Sequence, residues 1–276
     1  MTEIQLNQFK QAIAAVYDHR KDSYDLGGKE NWHYKLACSL VECADLKSGQ
    51  KILDLATGTG MVAIEAAKQV GITGQVMGLD ISSGLLSVAQ QKIDAAGLND
   101  IIQLKLADVE KLDLAENSYD YILCCSALPL FTDVPADLRL WHSFLVPGGK
   151  LGLCVFAETA FVFGVVLQTV ARRYGIEIIM SDLTGTEAKC HSLLQTAGFK
   201  NIQITTEQYG SYITLESSAS RAWDTSLQHP HCYPLLQLSP QELEQAKAEY
   251  ITELESLVTD RGIWNDITTY FVIGEK

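Results

Sequence analysis

Residues 51–63 read KILDLATGTGMVA, an apolar strand pattern that runs into a glycine turn and then directly into a helical pattern. Glycines at 58 and 60 let the backbone pass close to a ligand at the start of the helix. Gly58-Thr59-Gly60-Met61-Val62-Ala63 also satisfies the loose G-x-G-x-x-G/A dinucleotide fingerprint, so the loop alone leaves a nicotinamide-dependent oxidoreductase open. Outward from this stretch, short apolar runs alternate with longer amphipathic ones, the pattern of β-α units around a parallel sheet. Strands are expected near Lys51–Leu55, Gln75–Leu79, Ile101–Leu106, Tyr119–Cys125 and Lys150–Phe156, with helices near Met61–Val70, Ser82–Ala96 and Val134–Val146. Gly97 is placed to cap the second of these helices, and Pro147-Gly148-Gly149 predicts a turn before the fifth strand.

Two helical patterns, Ile4–Val16 and Trp32–Ala44, flank a polar linker, DHRKDSYDLGGKEN, at residues 18–31. Beyond the core, helices are expected at Thr159–Tyr174 and Thr186–Ala197, then strands at Asn201–Thr206 and Ile267–Ile273. Ser239-Pro240-Gln241-Glu242 is a capping box opening a helix from Pro240 to about Val258. The domain organisation expected is one domain over residues 1–276: an N-terminal helical cover at 1–48, a cofactor-binding core at 49–157, and a C-terminal half at 158–276 with a lid insertion at about 211–262.

A chain of 276 residues buries a sizeable core without metal or disulfide staples. Lys and Arg number 21 against 34 Asp and Glu, a formal charge of −13, which opposes binding to a polyanionic backbone and argues against nucleic acid as partner. Apolar runs such as Ala160–Leu167 fall far short of the roughly eighteen residues a membrane helix needs, so no membrane partner is expected. The N-terminal residues lack the apolar core and cleavage site of a signal peptide, and a cytoplasmic location is expected. The seven cysteines form no C-x-x-C pair and read as reduced thiols. His229, His231 and Cys232 cluster in QHPHCYP, but no second ligand cluster completes a tetrahedral set, and no metal is expected.

Asp54 separates the readings of the glycine loop. A carboxylate close to the place of a pyrophosphate is a repulsive pair, whereas a ligand bearing an ammonium gains from it. S-adenosylmethionine carries both an α-ammonium and a sulfonium, so Asp54 favours that methyl donor as cofactor. The alternative is a carboxylate that merely bonds the loop. Asp80, ending the second strand, can accept from ribose hydroxyls, with Ile81 adjacent. Asp108, after the third strand, can accept from an adenine amino group while the backbone of Val109 meets the ring. Each acid alone could be a solvated loop residue. Three at successive strand ends lie along one edge of the sheet, where ligands of such folds bind.

In ILDLATGTG, GLD at 78–80, AD at 107–108, SYDYILCCSALPLF and LVPGGKLGL, the chain resembles the class I S-adenosylmethionine-dependent methyltransferases, especially the small-molecule branch that includes ubiquinone and menaquinone biosynthesis enzymes. The matching stretch runs from about Leu36 to Phe156. The resemblance implies a Rossmann-like α/β fold: a seven-stranded, mostly parallel sheet with an antiparallel last strand, here ITTYFVIGEK, and helices on both faces. One departure is Ala56, where the family often has the first glycine of the loop. The implied reaction is methyl transfer to an oxygen, nitrogen or carbon atom of a small, partly apolar metabolite. The rivals are an NAD-dependent oxidoreductase and a protein of this fold that binds the donor without methylating.

The implied donor site comprises Asp54, Ala56, Gly58, Gly60, Asp80, Ile81, Asp108 and Val109, with Ser126 at the end of the fourth strand near the transferred methyl. Tyr17, Tyr24, Trp32, Phe131, Tyr209 and His229 are the candidate acceptor contacts, since aromatic walls exclude water and can face a sulfonium. Core packing explains any one aromatic equally well. His33, among the N-terminal aromatics, is the candidate proton acceptor or acceptor-orienting group. The oligomeric state is not readable from the sequence.

Overall fold

The computed structural model describes residues 2–178, 180–215 and 218–276. Met1, Ile179, Glu216 and Ser217, four positions of the expected cover, C-terminal half and insertion, lie outside the described residues. Apolar runs that need neighbours on both faces become the parallel strands β1 (Lys51–Leu55), β2 (Gln75–Asp80), β3 (Ile102–Leu106), β4 (Tyr119–Cys125) and β5 (Leu145–Phe156). Helices α1 (Glu3–Arg20) and α2 (Trp32–Ala44) precede them, and α3 (Met61–Val70), α4 (Ser83–Ala96) and α5 (Val134–Phe144) form crossovers. There follow α6 (Val162–Arg173), α7 (Glu187–Thr196), β6 (Lys200–Gln208), β7 (Ser211–Ile213), α8 (Ser218–Ser226), α9 (Pro240–Ser256), β8 (Ile263–Asn265) and β9 (Thr268–Glu275).

The main sheet has seven strands in the order β3-β2-β1-β4-β5-β9-β6, mostly parallel with the last strand antiparallel, as the resemblance implies. Strand order reverses between β1 and β4, so the loops leaving their carboxyl ends diverge and open a crevice between them. Asp54 pairs in register with Gly78 on β2 and Leu123 on β4, which sets it in the middle of the sheet.

The chain divides into two compact units. The first comprises Met1–Val155, Thr186–Thr206 and Tyr270–Lys276. Its core gathers Leu53, Leu55, Ile122, Trp141 and Phe199, all but removed from solvent. The second comprises Phe156–Gly185 and Glu207–Thr269, and thus contains the expected insertion. Its own core includes Val170, Leu235 and Leu254 around Trp223 and Tyr250, whose rings lie 5.3 Å apart. β7 and β8 pair there as an antiparallel ribbon.

Several boundaries differ from expectation for identifiable reasons. Pro147-Gly148-Gly149 lies inside β5 rather than in a turn before it. Leu145 already pairs with Tyr119, the register shifts between Tyr119 and Tyr121, and Gly148 takes a φ of 78° that absorbs the irregularity. The same pairing ends α5 at Phe144 instead of Val146. α1 runs on to Arg20, and Thr2 with Gln5 forms a capping box at its start. α6 begins at Val162 rather than Thr159, because the Phe161 N–H donates to the Asp266 carbonyl and Phe161 sits in the left-handed region at φ 64°.

Candidate functional site

The site begins where β1 ends. Ala56, Gly58 and Gly60 all have positive φ, at 53°, 56° and 78°, so the backbone coils tightly before α3. Ala56 therefore makes the turn a glycine would make, at the cost of a left-handed alanine, about 1–2 kcal/mol. At Gly58 conformation rather than space demands glycine, since an added Cβ would approach only Leu85, at 3.9 Å. Gly78 is set by space: a Cβ there would come within 3.1 Å of the Thr57 side chain and 2.8 Å of Leu104.

Thr57 uses that room to donate its hydroxyl to Asp54 Oδ2 at 2.5 Å, while Asp54 Oδ1, equally buried, has no protein partner. Burial pushes the Asp54 carboxyl up to about 7. Asp80 Oδ2 accepts from the Gly58 N–H at 2.7 Å and Oδ1 from the Ser82 N–H at 2.8 Å, so one carboxylate joins the glycine loop to the start of α4. Its pKa is also raised, by burial against those hydrogen bonds.

Asp108 Oδ2 receives Lys10 Nζ at 2.7 Å, and Glu110 receives the same ammonium at 2.5 Å. Glu110 also accepts from the Thr132 N–H and hydroxyl. Burial alone would depress Lys10, yet its two carboxylate partners raise it, so it stays charged. Asp137 is pushed up by burial and by the Glu110 charge, so that neighbour stays protonated.

Several of these groups border a cleft in the first unit whose empty space, counted with the part open to solvent, is about 700 Å³. Ala56 and Gly58 of the loop, Asp80 and Ile81 after β2, and Asp108 and Val109 after β3 all line it. Ser126 after β4, at φ 59°, and Phe131 complete that side. Opposite them, α1 and the segment after it contribute Tyr17 and Tyr24, half-buried rings 6.2 Å apart. The structure thus brings together ten of the residues singled out by sequence.

The others lie elsewhere. Asp54 is beneath the loop, and Gly60 is the N-cap of α3. His33 is stacked between Tyr24, at 4.5 Å, and Trp32, at 3.8 Å, behind the cavity wall. Asn31 donates its amide to the Tyr24 and Leu26 carbonyls, so its oxygen faces His33 Nδ1 at 3.1 Å. The imidazole proton is therefore on Nδ1 and the lone pair on Nε2. Burial lowers His33 to about 4, so the ring is neutral at pH 7. Tyr209 and His229 belong to the second unit, where the His229 ring stacks 5.2 Å from His231. Among the described residues, no group of three or more His, Cys, Asp or Glu side chains is placed to hold a metal ion. Nor, among them, is any helix long and apolar enough to cross a membrane.

Sequence reasoning missed Lys10, Ile13, Leu85 and Glu110, all on the cavity wall. A signal for the first two was present: Lys10, Ile13 and Tyr17 follow the three-then-four spacing that aligns side chains on one helix face. Two more contacts attach this N-terminal segment to the strand-end loops. Asp18 accepts from the Ser82 hydroxyl at 2.6 Å and the Gly84 N–H at 2.7 Å, and Asp25 from Thr59 at 2.7 Å and Lys92 at 2.8 Å.

Comparison with known proteins places this geometry. The ubiquinone/menaquinone biosynthesis C-methyltransferase UbiE of Haemophilus ducreyi is 33% identical over 150 residues, 54% of this chain and 56% of that protein. The chain thus spans little more than half the length of such relatives. Among solved structures, phosphoethanolamine N-methyltransferase 2 of Haemonchus contortus shares the fold at a TM-score of 0.60 and 15% identity, over 97% of this chain and 60% of that one. So does the [4+2]-cyclase SpnF, at 0.53 and 17%, over 88% and 80%. The model of the ubiE/COQ5 methyltransferase family matches residues 1–214, and it is to this family that the chain belongs.

Proposed function

We propose that the protein methylates a ring carbon of a small hydroquinone, with S-adenosylmethionine as donor and S-adenosylhomocysteine as product. The observation that carries this reading is the convergence of three strand-end carboxylates, two on the cavity wall and Asp54 beneath it with one buried oxygen unpartnered. An unpartnered buried carboxylate oxygen is costly, and a cation over the glycine loop offsets that cost. A diphosphate in the same place would add negative charge beside Asp80 and above Asp54, which disfavours the nicotinamide reading.

The residues present fit the donor. Asp54 and the loop backbone at Ala56 and Gly58 would hold its methionine part, Asp80 and Ile81 the ribose, and Asp108 and Val109 the adenine. When bound, the donor supplies a methyl group on a sulfonium, a leaving group that needs no protonation. What the chain then contributes is alignment and exclusion of water. Ser126 and Phe131 border the acceptor end, and Ile13, Tyr17 and Tyr24 offer apolar and aromatic surface to a flat ring. Burial raises both tyrosines, so they face the cavity as neutral phenols able to donate to an acceptor oxygen. His33 and Trp32 act through Tyr24, by stacking behind it, and His33 is thus a positioning residue. Tyr209 and His229 carry no part of this reading.

The carbon acceptor is supported by family membership and by the C-methyltransferase name of the Haemophilus ducreyi relative. Incubation with methyl-labelled donor and a panel of hydroquinones, monophenols and amines tests it. The expected outcome is label on a ring carbon of the hydroquinones; label confined to oxygen or nitrogen acceptors, or none on any, contradicts it.

A further inference from the structure

The floor of the cavity contains a sulfur chemistry that methyl transfer does not use. Cys125 and Cys154 are register partners on the neighbouring parallel strands β4 and β5. Adjacent strands lie about 4.8 Å apart, inside the roughly 4.4–6.8 Å between Cα atoms that a disulfide spans. Partners in register direct their side chains to the same face of a sheet, whereas Cys124 turns to the opposite face and joins the core. The Ser126 hydroxyl lies 3.7 Å from the Cys125 sulfur and 3.7 Å from the Cys154 sulfur, so the three groups form one cluster. Both thiols are free. Cys154 is only 1% exposed, while Cys125 is half-buried and lines the cavity, so reagents reach the pair from the ligand side. The strands hold the two residues in register, so little backbone movement separates the dithiol from the disulfide.

We propose that Cys125 and Cys154 form a redox-active pair that reduces a quinone entering the cavity to its hydroquinone. The S–S bond forms as each thiol gives up one proton and one electron. The quinone takes up the two electrons and two protons, and its two carbonyls become hydroxyls. Cys125 meets the quinone, since burial pushes the Cys154 thiol well above the ordinary range and keeps it protonated until the bond closes. The choice of oxidant rests on the hydroquinone reading above: an acceptor arriving in its oxidised form would be converted there into the form with a nucleophilic ring.

The test uses the full chain, reduced and freed of reductant without air, and tetramethyl-1,4-benzoquinone, whose fully substituted ring leaves no open position for thiol addition. The expected result is one quinone reduced per chain, a loss of two hydrogens in intact mass, and a disulfide linking the peptides that contain Cys125 and Cys154. A dithiol reductant should reverse it. Cys125→Ala, at the half-buried position, and Cys154→Ala should each abolish the reaction. No change in mass, a disulfide between other cysteines, or undiminished quinone reduction by Cys125→Ala overturns the proposal. Calorimetry with S-adenosylhomocysteine on the same reduced sample reports separately on the donor reading. Binding without the 125–154 disulfide overturns the pair and leaves that reading standing; the disulfide without binding supports the pair and overturns that reading.

Discussion

At Asp54 a carboxyl group 1% exposed has one oxygen on the Thr57 hydroxyl and the other unpartnered. Its pKa rises from an ordinary 3.8 to about 7 on folding, chiefly through burial. Below about pH 3 the group is neutral in both folded and unfolded chains, and its full contribution to stability is present. As pH rises from there to 7 the unfolded chain releases the proton that the fold retains, and stability falls by on the order of a few kcal/mol. Asp80, raised in the same direction, adds to the trend. Asp54→Asn keeps the shape without the charge. Thermal melts should therefore show the variant more stable than the parent at pH 8 and indistinguishable from it at pH 3; equal melting at both would contradict this assignment. The acid itself was legible in the sequence. Its depth beneath the loop was not, because that depends on Thr57 folding back into the space left by Gly78.

At the scale of elements, α1 and the segment after it are attached to the loops after β1, β2 and β3 through Asp25, Asp18 and Lys10 respectively. Hydrogen bonds to charged groups contribute about 1.5–3 kcal/mol each, so losing the Lys10 contacts should ease local opening roughly tenfold or more. Lys10→Met is accordingly expected to speed amide hydrogen exchange across α1 by at least that factor while β1 and β4 stay protected. Unchanged exchange in α1 would show that apolar packing alone holds it. Most elements were readable, since period-two and period-3.6 patterns are local properties of the chain. Partners separated by 98 residues, as Lys10 and Asp108 are, leave no such local trace. Pro147-Gly148-Gly149 misled for a related reason: turn-forming residues also serve as an irregularity within a paired strand, and only the pairing of Leu145 with Tyr119 decides between them.

Across the whole molecule, the seven-stranded order puts the β1, β2 and β3 termini on one rim, and the switch between β1 and β4 opens the crevice they surround. The three strand-end acids were legible there from spacing alone, as was the glycine loop. The attachment of α1 to their loops and the stacking of His33 behind Tyr24 were not, because both arise from tertiary packing. That arrangement should bind a cationic nucleoside, and Asp54 near half-protonation at pH 7 should release its proton when an ammonium arrives above it. Titration calorimetry with S-adenosylmethionine at pH 7, in two buffers of different ionisation enthalpy, measures affinity and proton release together. The parent is expected to bind with release of a fraction of a proton, and Asp54→Asn to lose that release and bind about 10–100-fold more weakly. Binding by the variant with the parent's affinity and proton count, or no binding by the parent, would contradict the assignment.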